Sequence, residues 1–198
     1  MMFCRFRPTR RGGFTTIELL LTVVVIGVVL ALAAPSMKDM LQVQRLRSTT
    51  AQVMTDLQFA RNEAVSRGTL LRVYFRTNAT MTCYSLYTSP NNTTRCNCLL
   101  GPGSACTGSM TELRTVQFPV EQGISVYPPS TQDKAFAFDP TTGGIYTVPT
   151  DNISLPMDGF TINSYIDSSR SQSIQLKGTG RPTVCAPSGS IMGDPSCT

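Results

Sequence analysis

GFTTIELLLTVVVIGVVLALAAPSM, from Gly13 to Met37, is the stretch on which the reading of this chain turns. Residues 17–34 hold a single charge, Glu18. Residues 14–34 would make about 31 Å of helix at roughly 1.5 Å per residue, enough to cross the hydrocarbon core of a bilayer. Ahead of them stand Arg5, Arg7, Arg10 and Arg11, and a basic head before an apolar run first suggests a secretory signal peptide. Two details count against that. Gly12-Gly13 separates the head from the run, and Glu18 sits inside the run. A charge at the centre of a membrane helix costs roughly 2.5–3.5 kcal/mol, and less near the interface. A plain anchor has no reason to keep one, so Glu18 points to function.

Composition narrows the field. The chain has 198 residues, 15% charged and 8% aromatic, with 13 Pro and 15 Gly. That argues against a coiled-coil rod, an acidic disordered tail or a collagen-like chain. There is no His, which removes Ser-His-Asp and Cys-His catalysis and every His-ligated metal site. The net charge of +5 comes mostly from the four Arg of the first 13 residues; residues 14–198 carry 13 basic and 12 acidic groups, or +1. The bulk of the chain does not read as a strongly basic nucleic-acid binder.

Gly13 followed by Phe14, Glu18 as the fifth residue from that junction, Gly27 as the fourteenth and Pro35 as the twenty-second resemble the N-terminal segment of type IV pilins and pseudopilins. The resemblance implies a leader, residues 1–13, that a prepilin peptidase removes by cutting between Gly13 and Phe14 on the cytoplasmic side, with N-methylation of Phe14. It implies a helix over residues 14–36 that first crosses the inner membrane and later packs in a filament core. There Glu18 can pair with the free α-amino group of a neighbouring Phe14, giving a charge that is poor in lipid a partner in the polymer. Pro35 lacks an N–H and frees the carbonyl of Ala31, which gives a kink or a local melting point. The four leader Arg hold the amino terminus in the cytoplasm, so the carboxyl-terminal part faces outward. Cys4 lies in the leader with no apolar run before it, which disfavours a lipoprotein.

Beyond Pro35 the helix continues in another style. Val43, Leu46, Thr50, Val53, Leu57, Ala60 and Ala64 alternate spacings of three and four, one face of an amphipathic helix over residues 37–68 that packs on a sheet. Arg45, Arg47, Asp56, Arg61 and Glu63 are read as lying off that stripe, and Gly68 after Arg67 as the stop. Residues 69–198 read as strands and turns, with strands at Thr69–Arg76, Met81–Thr88, Glu112–Phe118, Gly123–Tyr127, Lys134–Phe138, Gly144–Val148, Phe160–Tyr165 and Gln172–Lys177. Asn91–Gly108 reads as an ordered loop held by cross-links. The expected fold class is α+β: one long helix laid on antiparallel sheets.

Three segments resemble one branch of the pilin superfamily, the GspH/FimT family. Ala60-Arg61-Asn62-Glu63-Ala64 is similar to the A-R-x-E-A run at the end of that family's long helix. Phe138-Asp139-Pro140-Thr141-Thr142-Gly143 is similar to its F-x-P-x-G segment, and Ile174-Gln175-Leu176 with Gly180-Arg181 to its last strand and following Gly-Arg. The family often has Trp after the first strands; this chain has none, which leaves the strand order open.

Outside the leader there are six cysteines: Cys83, Cys96, Cys98, Cys106, Cys185 and Cys197. An even number on an exported domain reads as up to three disulfides, with 15 possible connectivities. Closing the Cys185–Cys197 tail would remove roughly 3 kcal/mol of unfolded-state entropy. Zinc held by Cys83, Cys96, Cys98 and Cys106 is the alternative, but C-x-C is not the spacing of zinc ribbons. No G-x-S-x-G, P-loop or Gly-rich dinucleotide motif occurs. Asp139, Asp151, Asp158 and Asp167 sit in turn-like contexts and read as turn acceptors. Asn78-Ala79-Thr80 and Asn92-Thr93-Thr94 match a glycosylation sequon, which means little without a eukaryotic secretory context.

The resemblance implies a structural subunit, not an enzyme, with no cofactor and no metal: a minor type IV pilin that primes or tips a filament together with other minor pilins and the major pilin. A pseudopilin of a type II secretion machine is the second reading, and the disulfide-rich domain leans toward a surface-exposed pilus. DNA capture for natural transformation is the third. Some FimT-type pilins are thought to use a basic G-R-x-R motif; here Gly180-Arg181-Pro182-Thr183 keeps only the first Arg. Lys177 and Arg181 are the only basic residues after Arg170, so the expectation is weak, non-specific duplex binding, since affinity scales with the phosphates neutralised.

Overall fold

The computed structural model describes residues 13–90, 94–129, 134–148, 155–187 and 194–197. One α-helix, α1 (Thr16–Arg67), precedes nine strands: β1 (Leu71–Thr77), β2 (Met81–Thr88), β3 (Thr111–Pro119), β4 (Ser125–Tyr127), β5 (Ala135–Phe138), β6 (Ile145–Thr147), β7 (Gly159–Tyr165), β8 (Ser171–Lys177) and β9 (Pro182–Cys185). The fold is α+β. The chain divides into two compact units, Met1–Leu41 and Gln42–Thr198, and α1 begins in the first and ends in the second. Arg5, Arg7, Arg10, Arg11, Cys4, Asn92 and Asp151 lie outside the described residues.

In the second unit all strand pairs are antiparallel, in a five-stranded sheet of order β3-β2-β1-β5-β6 and a four-stranded sheet of order β4-β7-β8-β9. The eight strands expected from the sequence are all present, with ends shifted by a few residues. The ninth, β9, is an addition. It starts on Pro182 and lies at the edge of its sheet; an edge strand can begin with a residue that lacks an N–H.

Alternation along the strands decides which side meets the helix. Leu71, Val73 and Phe75 of β1, Tyr84 and Leu86 of β2, and Phe136 and Phe138 of β5 form one buried cluster with Leu46, Val53, Leu57, Ala60 and Ala64 of α1. Phe160 of β7 joins the two sheets through this core, with its ring centroid 4.5 Å from that of Phe136 and 6.3 Å from that of Phe75. From Leu46 to Ala64 the helical stripe is therefore buried as its spacing predicts, while Val43 is half-buried. Asp56 departs from the expectation: it is 1% exposed. Its carboxylate accepts the Tyr84 hydroxyl at 2.6 Å and pairs with Arg114 of β3. Asp56 lies three residues after Val53 and four before Ala60, so it shares their face, and the strands supply the partners that a buried carboxylate requires.

The helix stops where Gly68 permits it. Gly68 takes φ +61°, its N–H bonds to the Val65 carbonyl and that of Thr69 to the Ala64 carbonyl, the paired bonds of a Schellman motif. The first hairpin turns on Asn78, whose side-chain oxygen accepts the N–H groups of Thr80 and Met81. The sequon asparagine is thus a turn residue.

Three disulfides are formed: Cys83–Cys98, Cys96–Cys106 and Cys185–Cys197. The first two pin the loop after β2, and Glu112 of β3 holds it further by accepting the N–H groups of Gly103 and Ala105. The four cysteines of the zinc alternative are therefore disulfide sulfurs. The third closes a hook in which Ala186 pairs with Ser196 in parallel. Asp194 of the hook accepts the side-chain amide of Gln172 at 2.6 Å and lies 4.0 Å from the Arg47 guanidinium of α1.

Candidate functional site

At the amino terminus, Thr15 caps α1. Its hydroxyl accepts the N–H of Glu18 at 3.3 Å, and its carbonyl accepts the N–H groups of Glu18 and Leu19 at 3.1 and 3.2 Å. Thr15-Thr16-Ile17-Glu18 is the T-x-x-E of a capping box, and a carboxylate in the first turn also meets the positive end of the helix dipole. The half of the box that is formed is the one Thr15 supplies.

Gly13 and Phe14 precede the helix, and Phe14 is 83% exposed. The large apolar side chains from Ile17 to Leu32 are each 53–75% exposed. Thr16–Ala33, with mean hydropathy 2.6, is long and apolar enough to cross a membrane. So extended an apolar surface requires lipid or protein around it. This helix fits a single-pass membrane anchor, and α1 is helical through Pro35.

The second locus unites three separate sequence segments. Arg61 of α1 donates its Nε–H to the carbonyls of Gly143 and Thr179, at 3.1 and 3.3 Å. Gly143 closes the β5–β6 turn at φ +67°, and Gly180 closes the β8–β9 turn at φ +73°. A Cβ on Gly180 would stand 2.0 Å from the Gly143 carbonyl oxygen and 3.3 Å from the Phe138 ring. Two turns thus touch backbone to backbone under one arginine. Arg61, Thr142, Gly144, Gly178, Thr179 and Arg181 line an open groove of about 500 Å³ at this junction.

Arg181 is exposed on that groove and makes no hydrogen bond or ion pair with the described residues. Lys177 is exposed at the end of β8, outside the groove lining. Two turn carboxylates behave as expected. Asp139 accepts the N–H groups of Thr141 and Thr142. Partial burial would raise its carboxyl, but those bonds and the two threonine hydroxyls hold it below the usual range. Asp167 is held well below that range, chiefly by the Arg170 side chain and the Ser169 hydroxyl. Among the described residues no cluster of His, Cys, Asp or Glu could hold a metal ion.

An apolar anchoring helix that continues into a disulfide-bonded, two-sheet unit is the plan of a pilin-like structural subunit. The family model described as type II transport protein GspH matches residues 49–180, and the chain belongs to that family. Members are pilin-like structural proteins that work in association with other pilins or pseudopilins. Arg61, Gly143 and Gly180 fall within the matched region; Phe14, Glu18 and Arg181 lie beyond it. No curated protein and no solved structure matches the chain.

Proposed function

We propose that this chain is a minor type IV pilin, processed by a prepilin peptidase and assembled at low abundance with other minor pilins and the major pilin. The carrying observation is the exposed apolar stretch Thr16–Ala33, whose one carboxylate, Glu18, stands in the first turn of α1. Cleavage between Gly13 and Phe14 leaves a free α-amino group, methylated on Phe14, one turn below Glu18. In lipid, the helix dipole offsets part of the cost of Glu18, by about 0.3–1 kcal/mol. In a filament the amino group of a neighbouring Phe14 completes the neutralisation. Pro35 removes one hydrogen bond from the helix and so weakens it locally. Before assembly the protein spans the bacterial inner membrane once, with residues 37–198 in the periplasm.

The match to a family of type II transport proteins favours a second reading, a pseudopilin of a type II secretion machine. Deleting the gene in the native bacterium separates the two. Loss of surface pili with normal protein secretion supports the pilin. Retained pili with loss of secretion contradicts it and selects the pseudopilin. DNA capture through Lys177 and Arg181 ranks third, because two cations support only weak, non-specific binding.

A further inference from the structure

The five-stranded sheet has a second face, turned away from α1. Arg72, Tyr74 and Arg76 alternate along β1 with the core residues Leu71, Val73 and Phe75 and so lie on that opposite face. Tyr74 packs on Ala135, Ala137 and Val148. Two guanidinium groups lie over its ring, that of Arg95 at 5.1 Å and that of Arg76 at 6.0 Å from the centroid. Arg95 is fixed there by a 3.0 Å hydrogen bond to the Val148 carbonyl. Arg76 and Arg95 have no carboxylate partner among the described residues; Asp133 and Asp151 lie outside them. Residues 14–198 have a net charge of only +1, so this is a local concentration of positive charge on a nearly neutral molecule.

We propose that the corner of this face formed by Tyr74, Arg76 and Arg95 is a docking surface for a carboxylate-rich segment of a neighbouring pilin-like subunit. Guanidinium groups without a carboxylate partner select an anion, and the guanidinium fork matches a carboxylate. The locus is compact, with two guanidinium groups converging on one ring, which suits one or two side chains of a folded partner. A single-stranded nucleic acid calls for a groove that tracks its backbone and for free aromatic faces on which bases stack. Here the Tyr74 ring is already covered by alanines and guanidinium groups. The partner class rests on the assembly reading.

The test uses the full chain in detergent micelles and a fluorescent hexaglutamate peptide, with single-stranded oligo-dT as the competing probe. Arg76→Gln/Arg95→Gln is compared with Lys177→Gln/Arg181→Gln, which removes the same charge elsewhere, after non-reducing mass mapping confirms all three disulfides in each. The expected result is peptide binding that weakens at least tenfold in the first variant and less than twofold in the second. No peptide binding, equal losses in both variants, or oligo-dT binding tenfold tighter than the peptide would overturn the proposal. In the native bacterium, Arg76→Glu/Arg95→Glu is expected to be cleaved at Gly13 normally but to co-purify with its partner subunits at least fivefold less. Normal cleavage with undiminished co-purification overturns the docking surface alone, whereas a wild-type chain that is never cleaved overturns the assembly reading.

Discussion

Arg61 and Gly143 stand 82 positions apart, and the Nε–H of the one donates to the carbonyl of the other at 3.1 Å. The second acceptor of the same nitrogen, the Thr179 carbonyl, lies 118 positions from Arg61. Three short segments that look unrelated along the chain thus form one joint where the helix, the β5–β6 turn and the β8–β9 turn meet. The arginine supplies donors to two turn carbonyls, and the glycines supply room for the turns to touch.

That joint makes an ordering of glycine substitutions testable. Gly103→Ala, at φ +78° with nothing within 4 Å of its Cβ, should cost about 1–2 kcal/mol from the left-handed backbone alone. Gly143→Ala adds a 3.0 Å approach to the movable Arg61 side chain and should cost somewhat more. Gly180→Ala drives a Cβ to 2.0 Å from a backbone oxygen and should cost the most, about 4 kcal/mol or beyond. Urea midpoints of the detergent-solubilised protein give the order, and equal effects at the three positions would contradict the joint.

The buried carboxylate of Asp56 predicts a non-additive pair. Its side chain is 1% exposed, whereas that of Arg114 is 48% exposed. Arg114→Met leaves a buried charge supported only by Tyr84 and should cost about 3 kcal/mol. Adding Asp56→Asn should recover part of that loss, because the uncompensated charge is gone. A double variant as unstable as the sum of the two singles would show that the pair does not act as a unit.

Much of this architecture is legible in the residues, for identifiable reasons. The helical stripe from Val43 to Ala64 and the alternation in eight strands are local periodicities, and burial follows from them. β9 escapes because Pro182 and a four-residue length suppress the strand pattern at a sheet edge. Asp56 reads as a solvent charge until Tyr84 and Arg114 come from strands far along the chain. The disulfide partners depend on strand register, which places Cys83 of β2 against the loop that holds Cys98. The groove between Arg61 and Arg181 depends on two turns meeting, which no local pattern encodes.

Acid should expose the turn carboxylates. The folded protein holds both Asp167 and Asp139 below the ordinary aspartate value, which is about 3.9. Their contribution to stability is therefore complete above about pH 4 and is lost as pH falls through the lower folded values. Thermal unfolding of the wild type should weaken progressively below about pH 4, and Asp167→Asn should flatten that slope. An identical slope in the variant would remove Asp167 from the account.

Glu18 carries two roles that substitutions can separate. Glu18→Gln keeps a residue suited to the capping box and removes the charge; Thr15→Val removes the cap and keeps the charge. Filament incorporation should fall at least tenfold in Glu18→Gln and only slightly in Thr15→Val, with cleavage intact in both. The reverse order, read by immunoblotting of assembled fractions, would make Glu18 a capping residue only.

The processed amino terminus tests the central claim most directly. Mass spectrometry of the amino-terminal peptide, from protein extracted from the envelope of the native bacterium, should find a chain that begins with N-methylated Phe14. A mature chain that still carries Arg5–Gly13, or that begins beyond Glu18, would contradict the pilin-like account.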